Sequence, residues 1–82
     1  MIEERVRNLI EEKVNELGVE VDGIVYEKEG GNYFLRIVID SNEGIDIDKC
    51  VEVTNLINPL LDEADLISDS YILDISSKER GE

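Results

Sequence analysis

Acidic and amide side chains crowd around one glycine in the middle of the chain, and oxygen ligands of this kind bind calcium. An EF-hand loop needs ligands at positions 1, 3, 5 and 12 and glycine at position 6. Counting from Asp40 instead puts Gly44 at position 5 and Ile45 at position 6, so the register does not fit that motif. The segment is IVIDSNEGIDIDKC, residues 37–50, with candidate ligands Asp40, Asn42, Glu43, Asp46 and Asp48.

The start of a helix explains the same segment better. Asp46 precedes an apolar run with helical spacing, and an aspartate at this position caps a helix by accepting from free backbone N–H groups. Asp48 adds negative charge to the first turn, where the helix dipole favours it. We therefore predict a capped helix here and no metal site.

No other group of residues indicates catalysis. Cys50 is the single cysteine and the chain has no histidine, so a cysteine nucleophile would lack its usual base. Cys50 also lies on an apolar stripe, which favours a packing role. With 21 acidic residues, carboxylate pairs occur by chance and do not indicate acid–base chemistry. We predict no enzyme activity and no cofactor.

Composition and charge limit the partners. The chain has 82 residues, 41% of them hydrophobic, which is enough for one small domain with one core. A net charge of −13 repels phosphate, so nucleic acid and anionic membranes are disfavoured and a basic protein is favoured. An acidic surface that only confers solubility remains the alternative.

A lone cysteine, with no apolar run long enough to cross a membrane, favours the cytoplasm.

The elements that would position these residues follow from apolar periodicity. We predict helix 2–17, strand 19–28, strand 33–40, helix 47–61 and strand 71–76. This α-β-β-α-β order predicts an α+β fold, a two-layer α/β sandwich with two helices on one face of a three-stranded sheet. Residues 1–77 would form this domain, and residues 78–82 a polar tail or the start of a linker.

Several details of these elements are specific. A phase change at Gly23 predicts a β-bulge, and the segment 29–32 predicts a tight hairpin turn. Pro59 is expected to kink or end the second helix. The expected inward residues are Tyr33, Leu35, Ile37 and Ile39 on the second strand and Tyr71, Leu73 and Ile75 on the third. The expected stripe of the second helix is Ile47, Cys50, Val51, Thr54, Ile57 and Leu61, with Val53, Leu56 and Leu60 beside it.

The element order is also typical of small RNA-binding domains of the KH type, but the motifs that bind RNA are missing. The chain has no G-x-x-G loop, the strand YFLRIVI lacks the aromatic RNP1 core, and the eight basic residues are dispersed. We therefore do not predict direct nucleic-acid binding.

A longer pattern of residues points to a family. It includes Leu17-Gly18, Glu29-Gly30-Gly31, Leu35-Arg36, Ile39-Asp40, Gly44, Ile47-Asp48-Lys49-Cys50, Pro59-Leu60-Leu61-Asp62 and Ser76-Ser77. Over residues 9–77, this succession closely resembles the N-terminal domain of the bacterial ribosome maturation factor RimP family. The resemblance implies a cytoplasmic, non-enzymatic factor that acts on the immature small ribosomal subunit and helps a ribosomal protein to join it.

The resemblance ends after the two serines. The family continues with Pro-Gly-Leu and a β-barrel domain, whereas this chain has Lys78, Glu79 and Arg80. We therefore expect the second domain to be absent, either because this is an excised domain or because it is a natural short relative.

Charge alone selects candidate contacts for a basic small-subunit ribosomal protein or the immature subunit. We predict two groups of residues: Asp40, Glu43, Asp46 and Asp48, and a second group of Asp62, Glu63, Asp65 and Asp69. A monomer is expected on this hypothesis. The alternative is a self-associating or adaptor domain that uses a strand edge or the open sheet face, where Phe34, Val38 and Ile72 would lie.

Overall fold

The computed structural model describes residues 2–78 and has the predicted element order. The predicted fold class is confirmed, with both helices on one face of a three-stranded sheet. Residues 79–82 of the predicted tail lie outside the described residues. The elements are α1 Ile2–Asn15, β1 Glu20–Glu29, β2 Asn32–Asp40, α2 Ile47–Ala64 and β3 Tyr71–Ser77.

The sheet has the strand order β1-β2-β3, with β2 in the centre. β1 and β2 are antiparallel, whereas β2 and β3 are parallel. A parallel pair needs a crossover connection, and α2 supplies it across one face of the sheet. Lys78 extends the parallel pairing by one residue, since its backbone N–H donates to the Ile39 carbonyl at 2.7 Å.

The hairpin between β1 and β2 confirms two local predictions. Its two turn residues, Gly30 and Gly31, have φ values of 55° and 88°, which glycine adopts without the steric cost of a side chain. Near the other end of β1 the pairing register shifts between Val21 and Gly23. This is the predicted bulge, and it leaves Asp22 as the extra residue.

The core lies between the helices and the inner face of the sheet. Leu35, Ile37 and Ile39 alternate along β2 and are fully buried, which confirms three of the four predicted inward residues, while the fourth, Tyr33, is half-buried. Each helix adds three residues at a spacing of four. These are Val6, Ile10 and Val14 from α1, and Val53, Ile57 and Leu61 from α2.

The predicted apolar stripe of α2 was placed partly on the wrong side. Ile47 is 81% exposed and Val51 is 52% exposed, whereas Val53 is fully buried. The row that meets the core runs through Val53, Ile57 and Leu61, and Val51 points away from that row because each residue turns the helix by about 100°. The apolar residues on α2 cover too wide an arc to define the stripe from spacing alone.

The predicted end of α2 at residue 61 was also wrong. The helix continues past Pro59 to Ala64 and is closed by Asp65 in the left-handed conformation, with φ 51°. Proline removes one backbone donor within the helix. Packing of Leu61 in the core offsets that loss, since its side chain is only 3% exposed.

Candidate partner-binding surfaces

The structure places the predicted contact residues in two separate clusters at opposite ends of α2. The first acidic cluster comprises Asp40, Glu43, Asp46 and Asp48, and the second comprises Asp62, Glu63, Asp65 and Asp69. α2 has 18 residues, so the two clusters are separated by roughly 27 Å at the usual rise per residue. They therefore cannot contact the same side chain of a partner.

In the first acidic cluster, Asp46 holds the helix start. It is the N-cap of α2, and its Oδ1 accepts from the Lys49 backbone N–H at 2.8 Å, as predicted. The Lys49 ammonium pairs with Glu52 at 2.9 Å and donates to the Leu17 carbonyl at 3.4 Å. This last contact joins the turn after α1 to the start of α2.

The loop before α2 is folded around Ser41, which is nearly buried. The Ser41 backbone N–H donates to Asp40 Oδ1 at 2.8 Å, and the Glu43 N–H donates to Ser41 Oγ at 3.3 Å. Asp40 is therefore part of the loop structure, whereas the side chains of Glu43 and Asp48 are exposed. Among residues 2–78, no group of three or more acidic or cysteine side chains is arranged to hold a metal ion.

In the second acidic cluster, all four residues are exposed, but their roles differ. Asp65 ends α2, and its backbone N–H donates to the Leu61 carbonyl at 3.0 Å. The sequence reasoning missed this cap because glycine or asparagine is the usual residue at such a position. Asp62 and Asp69 line a shallow cavity of about 480 Å³ together with Asn58, Ser70, Tyr71 and Leu73.

Tyrosines of the inner sheet face lie close to this second cluster. The rings of Tyr26 and Tyr33 stack with their centroids 5.3 Å apart. Burial raises the pKa of the Tyr26 hydroxyl, and the charge of Asp69 raises it further. Burial likewise raises the pKa of Tyr71, with a smaller contribution from Asp62. This coupling depends on the strand register and on the path of the α2–β3 loop, so no local pattern of residues predicts it.

Among the described residues, no helix covers the opposite face of the sheet. Its centre is Arg36, whose guanidinium forms ion pairs with Glu27, with Glu29 at 3.2 Å and with Asp74 at 3.6 Å. The hydrogen bond to Glu29 and the nearby carboxylates raise the pKa of Arg36. Three carboxylates around one guanidinium leave an excess of negative charge.

Apolar side chains surround this charged centre. Val25 and Ile72 are 45% and 48% exposed. Phe34 and Val38 are half-buried, and the Phe34 ring lies 5.1 Å beneath the Arg36 guanidinium. The alternation along β2 and β3 placed Phe34, Val38 and Ile72 on this outer face, as the sequence indicated. The open face thus combines apolar area with a net negative charge.

Comparison with known families identifies the domain. The family model of the RimP N-terminal domain matches residues 9–78. The chain belongs to the RimP N-terminal domain family. RimP is a non-enzymatic ribosome maturation factor, so the family relates this chain to ribosomal-subunit maturation.

Solved structures with a similar chain path include two forms of MamM CTD. The cadmium form is 18% identical, with a TM-score of 0.48, and the match covers 95% of this chain and 96% of that chain. The copper form is 17% identical, with a TM-score of 0.45, and the match covers 96% of this chain and 89% of that chain. Similarity at this level does not bear on function. No helix within residues 2–78 is both long enough and apolar enough to cross a bilayer.

Proposed function

We propose that this chain acts in the cytoplasm as a ribosome maturation factor domain that assists assembly of the small (30S) subunit by binding a basic ribosomal protein. The observation that carries the proposal is the RimP N-terminal domain match over residues 9–78. The net charge of −13 then selects the class of partner, because ribosomal proteins are strongly basic. Residues 1–77 would form the binding domain, without enzymatic activity.

The pairing of four of the eight basic side chains with carboxylates favours a protein partner over RNA. Arg7 pairs with Glu11 at 2.9 Å, and Lys78 pairs with Asp22 at 3.4 Å. Arg36 and Lys49 are also engaged by carboxylates. These cations are neutralised locally, and phosphate binding requires cations that are available to replace counterions.

The predicted contact residues differ in whether their groups stabilise the fold or are exposed to a partner. Asp46 and Asp65 cap α2, and Asp40 belongs to the folded loop. The other five have exposed side chains with no hydrogen bond or ion pair to the rest of the described chain. We propose that these five attract the basic partner: Glu43 and Asp48 in the first acidic cluster, and Asp62, Glu63 and Asp69 in the second.

A binding assay with charge-matched variants tests this proposal. Purified small-subunit ribosomal proteins are titrated with the labelled chain at low and high salt, and fluorescence anisotropy is recorded. We expect the double variant Glu43→Gln and Asp48→Asn to weaken binding several-fold at low salt. The control is Glu4→Gln with Glu12→Gln, which removes the same charge from exposed positions on α1. Equal affinity of the two double variants would contradict a role for the first cluster.

A second candidate function is self-association or an adaptor role through the open face. The exposure of Val25 and Ile72 favours it, because apolar side chains on an uncovered sheet face can mark an interface. Sedimentation over a range of concentrations separates the candidates. A chain that stays monomeric at all concentrations would exclude self-association.

A further inference from the structure

The two edges of the sheet are built differently. On β1, the bulge at Asp22 interrupts the pairing register, and the Arg7 guanidinium donates to the Val21 carbonyl at 3.1 Å. Bulges and charged side chains are devices that keep a sheet edge from pairing with another strand. β3 has no bulge, proline or lysine between Tyr71 and Ser77. Its one charged side chain is Asp74, so this edge is less protected against pairing than the edge of β1.

The hydrogen bond of Lys78 defines which backbone groups of β3 face outward. Because the Lys78 N–H points to β2 and backbone groups alternate along a strand, the N–H groups of Ile72, Asp74 and Ser76 also point to β2. The N–H groups of Leu73, Ile75 and Ser77 therefore point to the free edge. Within the stretch 2–78 they have no hydrogen-bond partner.

The side chains beside this edge suit a basic, partly apolar segment. Ile72 is half exposed and offers an apolar contact on the outer face. Asp74 is exposed, and the cation that pairs with it within residues 2–78, Arg36, is shared with Glu27 and Glu29. A second copy of the chain is a poor occupant, because each copy carries a charge of −13.

We propose that the free edge of β3 accepts an extended basic segment of the partner protein as a fourth strand. Backbone hydrogen bonds to Leu73 and Ile75 would supply affinity, and alternate side chains of the segment would meet Ile72 and Asp74. The identity of the partner as a ribosomal protein rests on the proposed function. The docking edge itself rests on the geometry of β3.

Amide hydrogen exchange tests the edge directly. The ¹⁵N-labelled chain is mixed with a short peptide that alternates lysine with valine, and exchange is followed by NMR. We expect the peptide to slow exchange at Leu73 and Ile75 about tenfold or more, with little change at Asp74, whose N–H already faces β2. The control peptide has the same sequence with alternate backbone nitrogens methylated. Equal slowing by both peptides, or no slowing by either, would overturn the proposal.

Two variants test the same edge without relying on exchange. Ser77→Pro removes an outward N–H and should weaken peptide binding several-fold relative to Ser77→Ala, which keeps it. Asp74→Lys places a like charge opposite the peptide and should weaken binding, whereas the matched change Glu12→Lys on α1 should do so less. Asp74 is exposed, so this variant keeps the test valid if the proline variant does not fold. Wild-type affinity of a folded Asp74→Lys variant would argue against the proposal.

The outcomes separate this inference from the proposed function. If a ribosomal protein binds and exchange at Leu73 and Ile75 is unchanged, the docking edge is wrong while the proposed function stands. If the peptide protects these amides and no ribosomal protein binds, the edge stands and the proposed function fails. Protection that grows with the concentration of the chain alone would show that a second copy occupies the edge, and would overturn the choice of partner.

Discussion

The two faces of the sheet use alternate residues of the same central strand for different purposes. On the covered face, Ile37 and its neighbours are fully buried beneath the helices. On the open face, Arg36 and Val38 are half-buried, and Arg36 is held by surface ion pairs. Burial of apolar area dominates folding, whereas exposed ion pairs contribute little. The covered face therefore supplies most of the free energy of folding, and the open face contributes little to it.

Truncation of adjacent residues of β2 tests this contrast with the largest expected effect. Ile37→Ala should lower the free energy of unfolding by about 2–5 kcal/mol, because it leaves a cavity in the core. Val38→Ala, on the open face, should lower it by less than about 1.5 kcal/mol. Urea denaturation measures both values. Similar losses for the two variants would contradict the assignment of the faces.

The acidic residues divide in the same way between the fold and the surface. Asp46→Ala should lower the free energy of unfolding by about 1 kcal/mol, since it removes the N-cap bond to the Lys49 N–H. Asp48→Ala, two residues later, should lower it by about 0.5 kcal/mol or less, because only the helix-dipole interaction is lost. The comparison uses thermal or urea unfolding. A larger loss of stability for Asp48→Ala than for Asp46→Ala would contradict this division, because it would mean that Asp48 stabilises the fold more than the N-cap does.

Removal of the central charge of the open face should change stability still less. We expect Arg36→Met to change the free energy of unfolding far less than Ile37→Ala does, because the guanidinium and its three carboxylate partners are partly exposed to water. Unfolding measured at low and at high salt shows how much of this change in the free energy of unfolding is electrostatic. A loss as large as that of Ile37→Ala would mean that the open face stabilises the fold.

The smallest expected effect appears at alkaline pH. The pKa of Tyr26 is raised in the folded state, chiefly by burial. This contribution to stability is fully present below the unfolded-state pKa and is lost as pH rises through the folded-state pKa. Tyr26→Phe should reduce the alkaline loss of stability, as measured by unfolding at a series of pH values. An unchanged profile would contradict the burial of this hydroxyl.

Local interactions explain the parts of the fold that the sequence predicted. The hairpin at Gly30 and Gly31, the bulge near Gly23 and the cap at Asp46 each depend on the conformational preferences of a few neighbouring residues. The inward set of β2 follows from strict alternation. These signals are contained within short segments of the chain.

Long-range packing explains the parts that the sequence did not predict. The continuation of α2 past Pro59 depends on the contact of Leu61 with the core, and the exposure of Val51 depends on which side of α2 meets the sheet. For the surface, charge identified both acidic clusters but not their separation by the length of α2. The free edge of β3 could not be predicted, because it depends on the order of the strands in the sheet, and apolar periodicity does not determine that order.

The most direct test of the account compares protein and RNA as partners. The affinity of the chain for a purified basic small-subunit ribosomal protein and for bare small-subunit ribosomal RNA is measured under identical conditions, at low and high salt. The account predicts that the protein binds, that its affinity falls as salt rises, and that the RNA does not bind measurably. RNA binding as tight as protein binding would contradict the claim that the negative surface selects a cationic protein.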